Sequence, residues 1–125
     1  MAEIVLQDNC FLVSQTNEKG VITFANEDFV KVCGYSLEEL IGKPHNIVRH
    51  PDMPKAAFKT VWETIQSGKI WTGFVKNRAK NGDFYWVYAT IIPTRDRKQN
   101  GYISARRKAN PAEVAEAEAF YRTLK

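Results

Sequence analysis

The chain has 125 residues, of which 44% are hydrophobic and 26% are charged, and it carries a net charge of +4. This length supports one domain with its own core, and the apolar fraction excludes a disordered chain. No segment approaches the roughly 18 consecutive apolar residues of a membrane helix, and no signal peptide opens the sequence. We therefore expect a cytoplasmic domain in which Cys10 and Cys33 remain free thiols.

The positive charge is concentrated in residues 76–80 and 95–108. A basic surface is typical of proteins that bind nucleic acid, anionic lipid or an acidic partner. No nucleic-acid-binding motif accompanies these residues, and lysine and arginine also protect strand edges from unwanted pairing. We interpret them as solvated strand edges and turns, and we predict no nucleic-acid partner.

The first part of the chain predicts a hairpin followed by two short helices. Apolar and polar residues alternate over residues 11–24, interrupted by a turn at 17–20. Asn26 has the position of a helix N-cap, and Gly34 ends that helix. A capping box at residues 36–39 then opens the second short helix.

Residues 45–54, with the sequence His-Asn-Ile-Val-Arg-His-Pro-Asp-Met-Pro, contain both histidines of the chain together with Arg49 and Asp52. The two prolines prevent a regular helix through this segment. It is either a turn that holds a charged or polar ligand or a solvated loop that starts the next helix. No serine or cysteine nucleophile is placed beside the histidines, and no metal-ligand spacing occurs, so we predict neither an enzyme nor a metal site.

The rest of the chain predicts one longer helix over residues 54–66, three strands and a final helix that Asn110 caps. The three strands are predicted at residues 71–77, 83–93 and 101–107, with a polar loop at 95–100. This order predicts an α+β fold, with a five-stranded antiparallel sheet, short helices on one of its faces and a C-terminal helix. The space between the sheet and the helices is a natural small-molecule pocket.

Five aromatic residues carry further expectations. Trp62 lies on the apolar face of the longer helix, so it is either a core residue or a wall of the pocket. Phe24 and Phe29 are expected in the core. Tyr85 and Trp86 are consecutive strand residues, so they are expected on opposite faces of the sheet.

The stretch Gly-Tyr-Ser-Leu-Glu-Glu-Leu-Ile-Gly at residues 34–42 resembles the G-Y-[ST]-x-E-E-L-x-G stretch of PAS domains. Lys-Asn-Gly at residues 80–82 resembles the hairpin that precedes their long strand. The resemblance covers about residues 10 to 108. It implies the following division of the chain: an N-terminal flanking segment (1–10), a PAS sensor domain (11–108) and a C-terminal linker helix (109–125).

Residues 44–58, together with Trp62, Trp71-Thr72-Gly73 and residues 75–78, are similar to the PAS domain of the bacterial aerotaxis receptor (Aer) and energy-taxis family. The resemblance implies non-covalent binding of FAD, whose redox state reports on electron transport and oxygen. It also implies a cytoplasmic sensor that signals to a HAMP or chemoreceptor module, in the same polypeptide or in a partner. The rest of the receptor, or the partner, would tether it to the inner membrane. Homodimerisation also remains open, and the segment itself is not expected to insert into a membrane.

The family's flavin-binding positions fall on Asn26, Arg49, His50 and Asp52, with Trp71 also matched. Arg49 is suited to pair with phosphate or donate to the ribityl chain. Asp52 is expected to orient Arg49 or His50 or to accept from ribityl hydroxyls. With the candidate ring contacts included, the predicted cofactor-binding residues are Asn26, Arg49, His50, Asp52, Phe58, Trp62, Trp71 and Asn77.

Residues 77–82 also resemble the Asn-Tyr-Thr-Lys-Asp-Gly stretch of flavin-binding LOV domains, which suggests that Asn77 hydrogen-bonds the pyrimidine edge of the flavin. In this chain His45 replaces the photoreactive cysteine, Val87 the second asparagine and Arg106 the glutamine near flavin N5. We therefore expect no cysteinyl photocycle. Arg106 either points into the pocket, where it would stabilise a negative charge on the flavin, or lies on the surface.

Two alternatives remain open at this stage. A haem-binding PAS gas sensor would use His50 or His45 as an iron ligand. A cofactor-free PAS module would instead mediate interaction or dimerisation through its sheet and terminal helix. The choice of FAD over FMN comes from the resemblance alone.

Overall fold

The computed structural model describes residues 2–95 and 100–124. The predicted order of elements is confirmed, whereas residues 96–99 of the predicted loop lie outside the described part. The elements are β1 (Phe11–Asn17), β2 (Ile22–Ala25), α1 (Glu27–Cys33), α2 (Leu37–Leu40), a 3-10 turn (His45–Val48), α3 (Lys55–Gln66), β3 (Trp71–Arg78), β4 (Phe84–Arg95), β5 (Asn100–Lys108) and α4 (Pro111–Tyr121).

The strands form one sheet in the order β2-β1-β5-β4-β3, and all neighbouring strands are antiparallel. Helices α1 to α3 cover one face of this sheet, here called the inner face, and α4 lies on the opposite, outer face. The predicted α+β architecture is therefore confirmed. No helix within the two described ranges is long and apolar enough to cross a membrane.

The alternation of side chains along the strands decides which residues reach the core. Leu12, Val87 and Ala89 point to the inner face and are almost fully buried. Phe29 is buried as predicted, but the core assignment of Phe24 is wrong. Phe24 pairs with Gln15 on the outer face and is 43% exposed.

Tyr85 and Trp86 lie on opposite faces of β4, as predicted: Tyr85 is buried in the core, and Trp86 stacks on Tyr121 of α4. The two rings are 6.4 Å apart and inclined by only 7°. The Tyr121 hydroxyl also donates to the carbonyl of Phe74. Helix α4 is thus fixed over β3 and β4.

The N-terminal segment also packs on the domain. The backbone N–H of Ile4 donates to the carbonyl of Phe84 at 2.7 Å, and Leu6 is buried in the core. The division into residues 1–10, 11–108 and 109–125 stays a prediction.

Candidate ligand-binding site

A cavity of about 220 Å³ lies between the inner face of the sheet, the 3-10 turn and α3. Its apolar walls come from α3 and from the facing strands β3 and β4. Trp62 closes one side, where its ring meets Tyr102 edge-on at 5.8 Å and approaches Gly20. Gly20 has a φ of 80°, and a Cβ there would lie 2.9 Å from the indole, so this turn requires glycine. The apolar lining residues that these three elements contribute are Phe58, Val61, Trp62, Ile65, Val75 and Ile91.

The other end of the cavity is polar and is formed by strands β3 and β5. The Arg106 side chain, on a residue only 6% exposed, donates through Nε to the Ser104 hydroxyl at 2.9 Å. With the Asn77 amide oriented to satisfy both neighbours, its oxygen accepts from Arg106 at 3.1 Å and its nitrogen donates to the Val48 carbonyl at 3.2 Å. Arg106 therefore points into the pocket, which decides between the two positions predicted for it.

The environment of Arg106 makes the protonated form of its side chain less favourable. Burial lowers its pKa to about 10, which still leaves the guanidinium protonated at neutral pH. A buried cation is costly unless an anion or several good acceptors compensate it. Ser104 and Asn77 supply two neutral acceptors for this cation.

Arg49, which follows the 3-10 turn, lines the same cavity. Its guanidinium carbon lies 3.7 Å from the centre of the Phe58 ring, in a cation–π contact. Its Nε is buried and has no hydrogen-bond partner among the described residues. A buried donor left without an acceptor costs roughly 1–3 kcal/mol, so this atom is a candidate ligand contact.

His45 reaches the cavity from the start of the 3-10 turn. Its Nε2 is 2.8 Å from the Ser14 hydroxyl, and its ring meets Phe29 edge-on. Although it lies deep in the protein, His45 keeps some accessible surface because it faces the cavity. Burial, followed by the charges of Arg106 and Arg49, lowers its pKa to about 3, so the imidazole is neutral at ordinary pH.

The described residues that line the cavity include three cationic side chains, Lys19, Arg49 and Arg106, and no carboxylate. The cavity thus combines flat apolar walls with hydrogen-bond donors and positive charge. This combination suits a planar, electron-rich ligand with a polar edge or with negative charge.

A second group of residues, three polar and one aromatic, lies behind the cavity, on the outer side of β3. This loop cluster consists of His50, Asp52, Lys76 and Phe84. Lys76 donates to Asp52 at 2.8 Å and lies 4.6 Å from the centre of the Phe84 ring. The imidazole Nδ1 of His50 accepts from the Asp52 backbone N–H at 3.0 Å. The hydrogen bond from Lys76 lowers the pKa of Asp52, and burial and Lys76 lower the pKa of His50.

The cavity brings together four of the eight predicted cofactor-binding residues: Arg49, Phe58, Trp62 and Asn77. The lining does not include Asn26, His50, Asp52 or Trp71. His50 and Asp52 belong to the loop cluster. Trp71 pairs with Ile91 at the start of β3, and its indole lies over Gly73.

Asn26 serves as the N-cap that the sequence predicts. Its side-chain oxygen accepts from the backbone N–H groups of Phe29 and Val13, and its nitrogen donates to the carbonyl of Phe11. These three bonds tie α1 to β1. The predicted roles of all eight residues in cofactor binding remain proposals.

Sequence reasoning missed Ser14 and Ser104 as members of the polar end. Both are almost completely buried and are register partners on the inner face of β1 and β5. The available signal was a serine at the inward position of an alternating strand, where an apolar residue is expected. Within the described ranges, no three His, Cys, Asp or Glu side chains are grouped so that they could hold a metal ion.

Comparison with known proteins identifies close relatives. The family described as the PAS fold matches residues 22–104. The aerotaxis receptor of Escherichia coli (strain K12) is 52% identical over 120 residues, which cover 95% of this chain and 24% of the receptor. The predicted resemblance to this receptor is thus confirmed. The chain spans about a quarter or less of the length of the curated relatives it matches.

Solved structures agree with the fold. A PAS domain of a protein from Colwellia psychrerythraea has a TM-score of 0.66 at 24% identity, covering 79% of this chain and 86% of that one. A light-oxygen-voltage domain structure whose description concerns a flavin analogue has a TM-score of 0.71 at 23% identity, covering 90% and 84%. At these identities the likeness concerns the fold alone.

Proposed function

Because the chain belongs to the PAS-fold family, we propose that it is the cytoplasmic sensor domain of an energy-taxis receptor, which binds FAD without covalent attachment and responds to its redox state. The observation that carries this proposal is the cavity itself, which has ring-sized apolar walls, two inward guanidinium groups and no carboxylate among its described lining residues. The identity to the aerotaxis receptor supports the taxis role.

The residues present fit a flavin. Trp62 and Phe58 offer flat surfaces for the ring system. Asn77 and Arg106 offer both acceptor and donor capacity to its polar edge. The Nε of Arg49, which has no partner among the described residues, is a donor that the cofactor would satisfy. When bound, the flavin supplies reversible electron transfer at the polar end of the cavity.

The size of the cavity limits how much of FAD it encloses. Its volume of about 220 Å³ is below the roughly 300–1,000 Å³ of pockets that bury drug-sized ligands. We therefore assign the ring to the cavity and the ribityl, phosphate and adenosine parts to the surface outside it. His50 and Asp52, which lie one and three positions after Arg49, are assigned to those outer parts. Asn26, the N-cap of α1, and Trp71, the first residue of β3, are assigned supporting roles.

Arg106 connects the cavity to the C-terminal helix α4. It lies on β5, two residues before the last residue of that strand, Lys108. Helix α4 begins at Pro111, three residues after Lys108. A change of charge beside Arg106 therefore acts on the strand that leads directly into α4. We propose that α4 passes this change to a HAMP or chemoreceptor signalling module, in the same polypeptide or in a partner. A second copy of the domain is another candidate partner.

The cofactor-free alternative is favoured by one observation, the apolar surface of the outer face. Phe11, Phe24 and Ile92 are all partly exposed there, beyond the area that α4 covers. A domain that worked only by docking would need this surface and no ligand. The haem alternative has less support, since His45 is hydrogen-bonded to Ser14 and His50 lies outside the cavity lining.

An absorption spectrum of the freshly purified protein, followed by chromatography of the acid-released ligand, tests the proposal. Oxidised-flavin bands and released FAD are expected, with bleaching on dithionite titration. A Soret band would establish the haem alternative. A colourless protein that does not take up added FAD would leave the interaction module. Unchanged flavin content in both Arg49→Ala and Asp52→Ala would contradict the site.

A further inference from the structure

His45 combines three properties at the polar end of the cavity. It faces the cavity, it is hydrogen-bonded to Ser14, and it is held neutral by its surroundings. The chain contains two histidines, and the other, His50, lies in the loop cluster outside the cavity lining. His45 is therefore the histidine whose protonation would respond directly to charge added in the cavity.

The surroundings of His45 are cationic or neutral on every side that the structure describes. Arg106 of β5, Arg49 after the 3-10 turn and Lys19 of the β1–β2 turn line the same cavity. Ser14 of β1 and Phe29 of α1 contact the ring and are uncharged, and α3 contributes only apolar lining residues. Since no described lining residue is a carboxylate, added negative charge would be the first anionic neighbour of His45 among them.

The Ser14 contact can serve both protonation states of His45. A hydroxyl both donates and accepts, so Ser14 can donate to Nε2 of the neutral imidazole and accept from Nε2–H of the imidazolium. The change requires only rotation of a hydroxyl hydrogen. Pro44 and Asn46, on either side of His45, are exposed, so solvent protons have a short path to the turn.

We propose that His45 takes up one proton from solvent when a one-electron donor reduces the flavin, so that the domain senses electron supply and proton concentration together. This inference rests on the proposed function. In the step, one electron passes from the donor to the ring system and one proton passes from water to the imidazole. No covalent bond forms between the protein and the cofactor.

A pH window follows from the charges. A unit negative charge about 4 Å from the imidazole raises its pKa by about 3 units at an effective dielectric constant of about 20. Starting from about 3, the pKa of His45 reaches about 6 in the reduced domain. Because the reduced state then binds more protons, lower pH favours reduction. The midpoint potential should rise by up to ~59 mV per unit as pH falls below about 6, and it should be nearly constant above about 7.

The test is a spectroelectrochemical titration of the flavin-loaded protein between pH 5 and pH 8, in wild type, His45→Gln and Arg107→Gln, a control on the outer face where Arg107 lies over Tyr88. Wild type and Arg107→Gln are expected to show the slope below pH 6, and His45→Gln is expected to be flat. A flat wild-type profile, or a slope that His45→Gln retains, would overturn the inference. Retention of the slope in that variant would place the proton on the cofactor.

Infrared difference spectra provide a second measurement that needs no substitution of His45. Reduction of wild-type protein containing ¹⁵N-labelled histidine at pH 5.5 should produce imidazolium bands that shift with the isotope. Their absence would overturn the inference. A purified protein that contains no flavin and takes none up would instead overturn the proposed function, which keeps the two failures distinguishable.

Discussion

The cavity and the loop cluster use the same kinds of side chain in opposite ways. In the loop cluster, Lys76 has a carboxylate partner in Asp52 and an aromatic face in Phe84. In the cavity, Arg49 and Arg106 have only neutral partners among the described residues: a phenyl ring, a hydroxyl and an amide. The two groups lie on opposite sides of β3, on which Asn77 faces the cavity and Lys76 points outward as a member of the loop cluster.

The difference concerns where charge is left uncompensated. The paired charges of the loop cluster are largely satisfied within the protein, so they can hold residues 50–53 against β3 without a ligand. The cavity instead keeps cationic donors without an anion among its described lining residues, a costly arrangement that a ligand can relieve. This contrast separates residues expected to act on the ring from residues expected to shape the loop or contact the outer parts of the cofactor.

The largest effect is expected from Arg49→Ala. This change removes both the donor at Nε and the charge beside Phe58, so FAD affinity should fall by roughly 10- to 100-fold, the loss typical of one charged hydrogen bond. Fluorescence titration of the apoprotein with FAD would measure it. Arg107→Ala is the matched control, since Arg107 lies over Tyr88 on the outer face. Equal losses in both variants would indicate a general effect of net charge.

Asn77→Asp would give the cavity the carboxylate that the loop cluster already has. The new charge would pair with Arg106 and would repel negative charge on the ring, so the midpoint potential should fall. If the reduced flavin is favoured 10- to 100-fold less than in wild type, the midpoint potential falls by roughly 60–120 mV for a one-electron step. A redox titration at pH 7.5 measures this shift.

The control for this charge change is Thr72→Asp. Thr72 lies on the same strand, but it is exposed and faces outward, so the net charge changes equally without a carboxylate in the cavity. A midpoint potential that moves equally in both variants would show that the cavity charge does not set it.

A smaller and more selective effect is expected from His50→Ala. If the flavin ring occupies the cavity and the other parts of FAD lie outside it, this variant should bind FAD several-fold more weakly. The loss should stay within the roughly 1 kcal/mol of a typical hydrogen bond. Riboflavin, which lacks phosphate and adenosine, should bind the variant and wild type equally. Parallel titrations with both ligands measure this difference. An equal loss of affinity for FAD and for riboflavin would place His50 against the flavin ring.

Much of the fold follows from local signals in the sequence. The capping boxes at Ser36 and Asn110 and the strand alternation predict elements that the structure confirms. Phe24 shows where this reasoning fails. The pairing of β1 with β2 shifts between Gln15 and Thr16, and Phe24 faces outward opposite Gln15. A register of this kind depends on the partner strand, so alternation within one strand does not determine it.

The site was predictable only in part, for a related reason. Arg49 and Asn77 are 28 positions apart in the chain, but the fold brings them together through a β-bridge, so local pattern alone could not group them. The histidine-rich segment is conspicuous in composition, yet His45 faces the cavity and His50 does not. The turn that separates these two histidines is set by contacts with β3, including the hydrogen bond from the His50 backbone N–H to the Lys76 carbonyl.

The smallest effect is expected from Asp52→Asn, which tests whether the loop cluster is already satisfied within the protein. The Asp52 side chain is 67% exposed, so its ion pair with Lys76 should contribute at most about 1 kcal/mol to the free energy of unfolding. Because the pKa of Asp52 is lowered in the folded state, this contribution is present above the unfolded value of about 3.9 and is lost as the pH falls through the folded value. Urea unfolding should therefore separate the variant from wild type at pH 7 and bring them together near pH 2–3. A double-mutant cycle with Lys76→Met isolates the pair from other effects of each substitution. A coupling well above 1 kcal/mol, or one that persists at low pH, would contradict the contrast between the two regions.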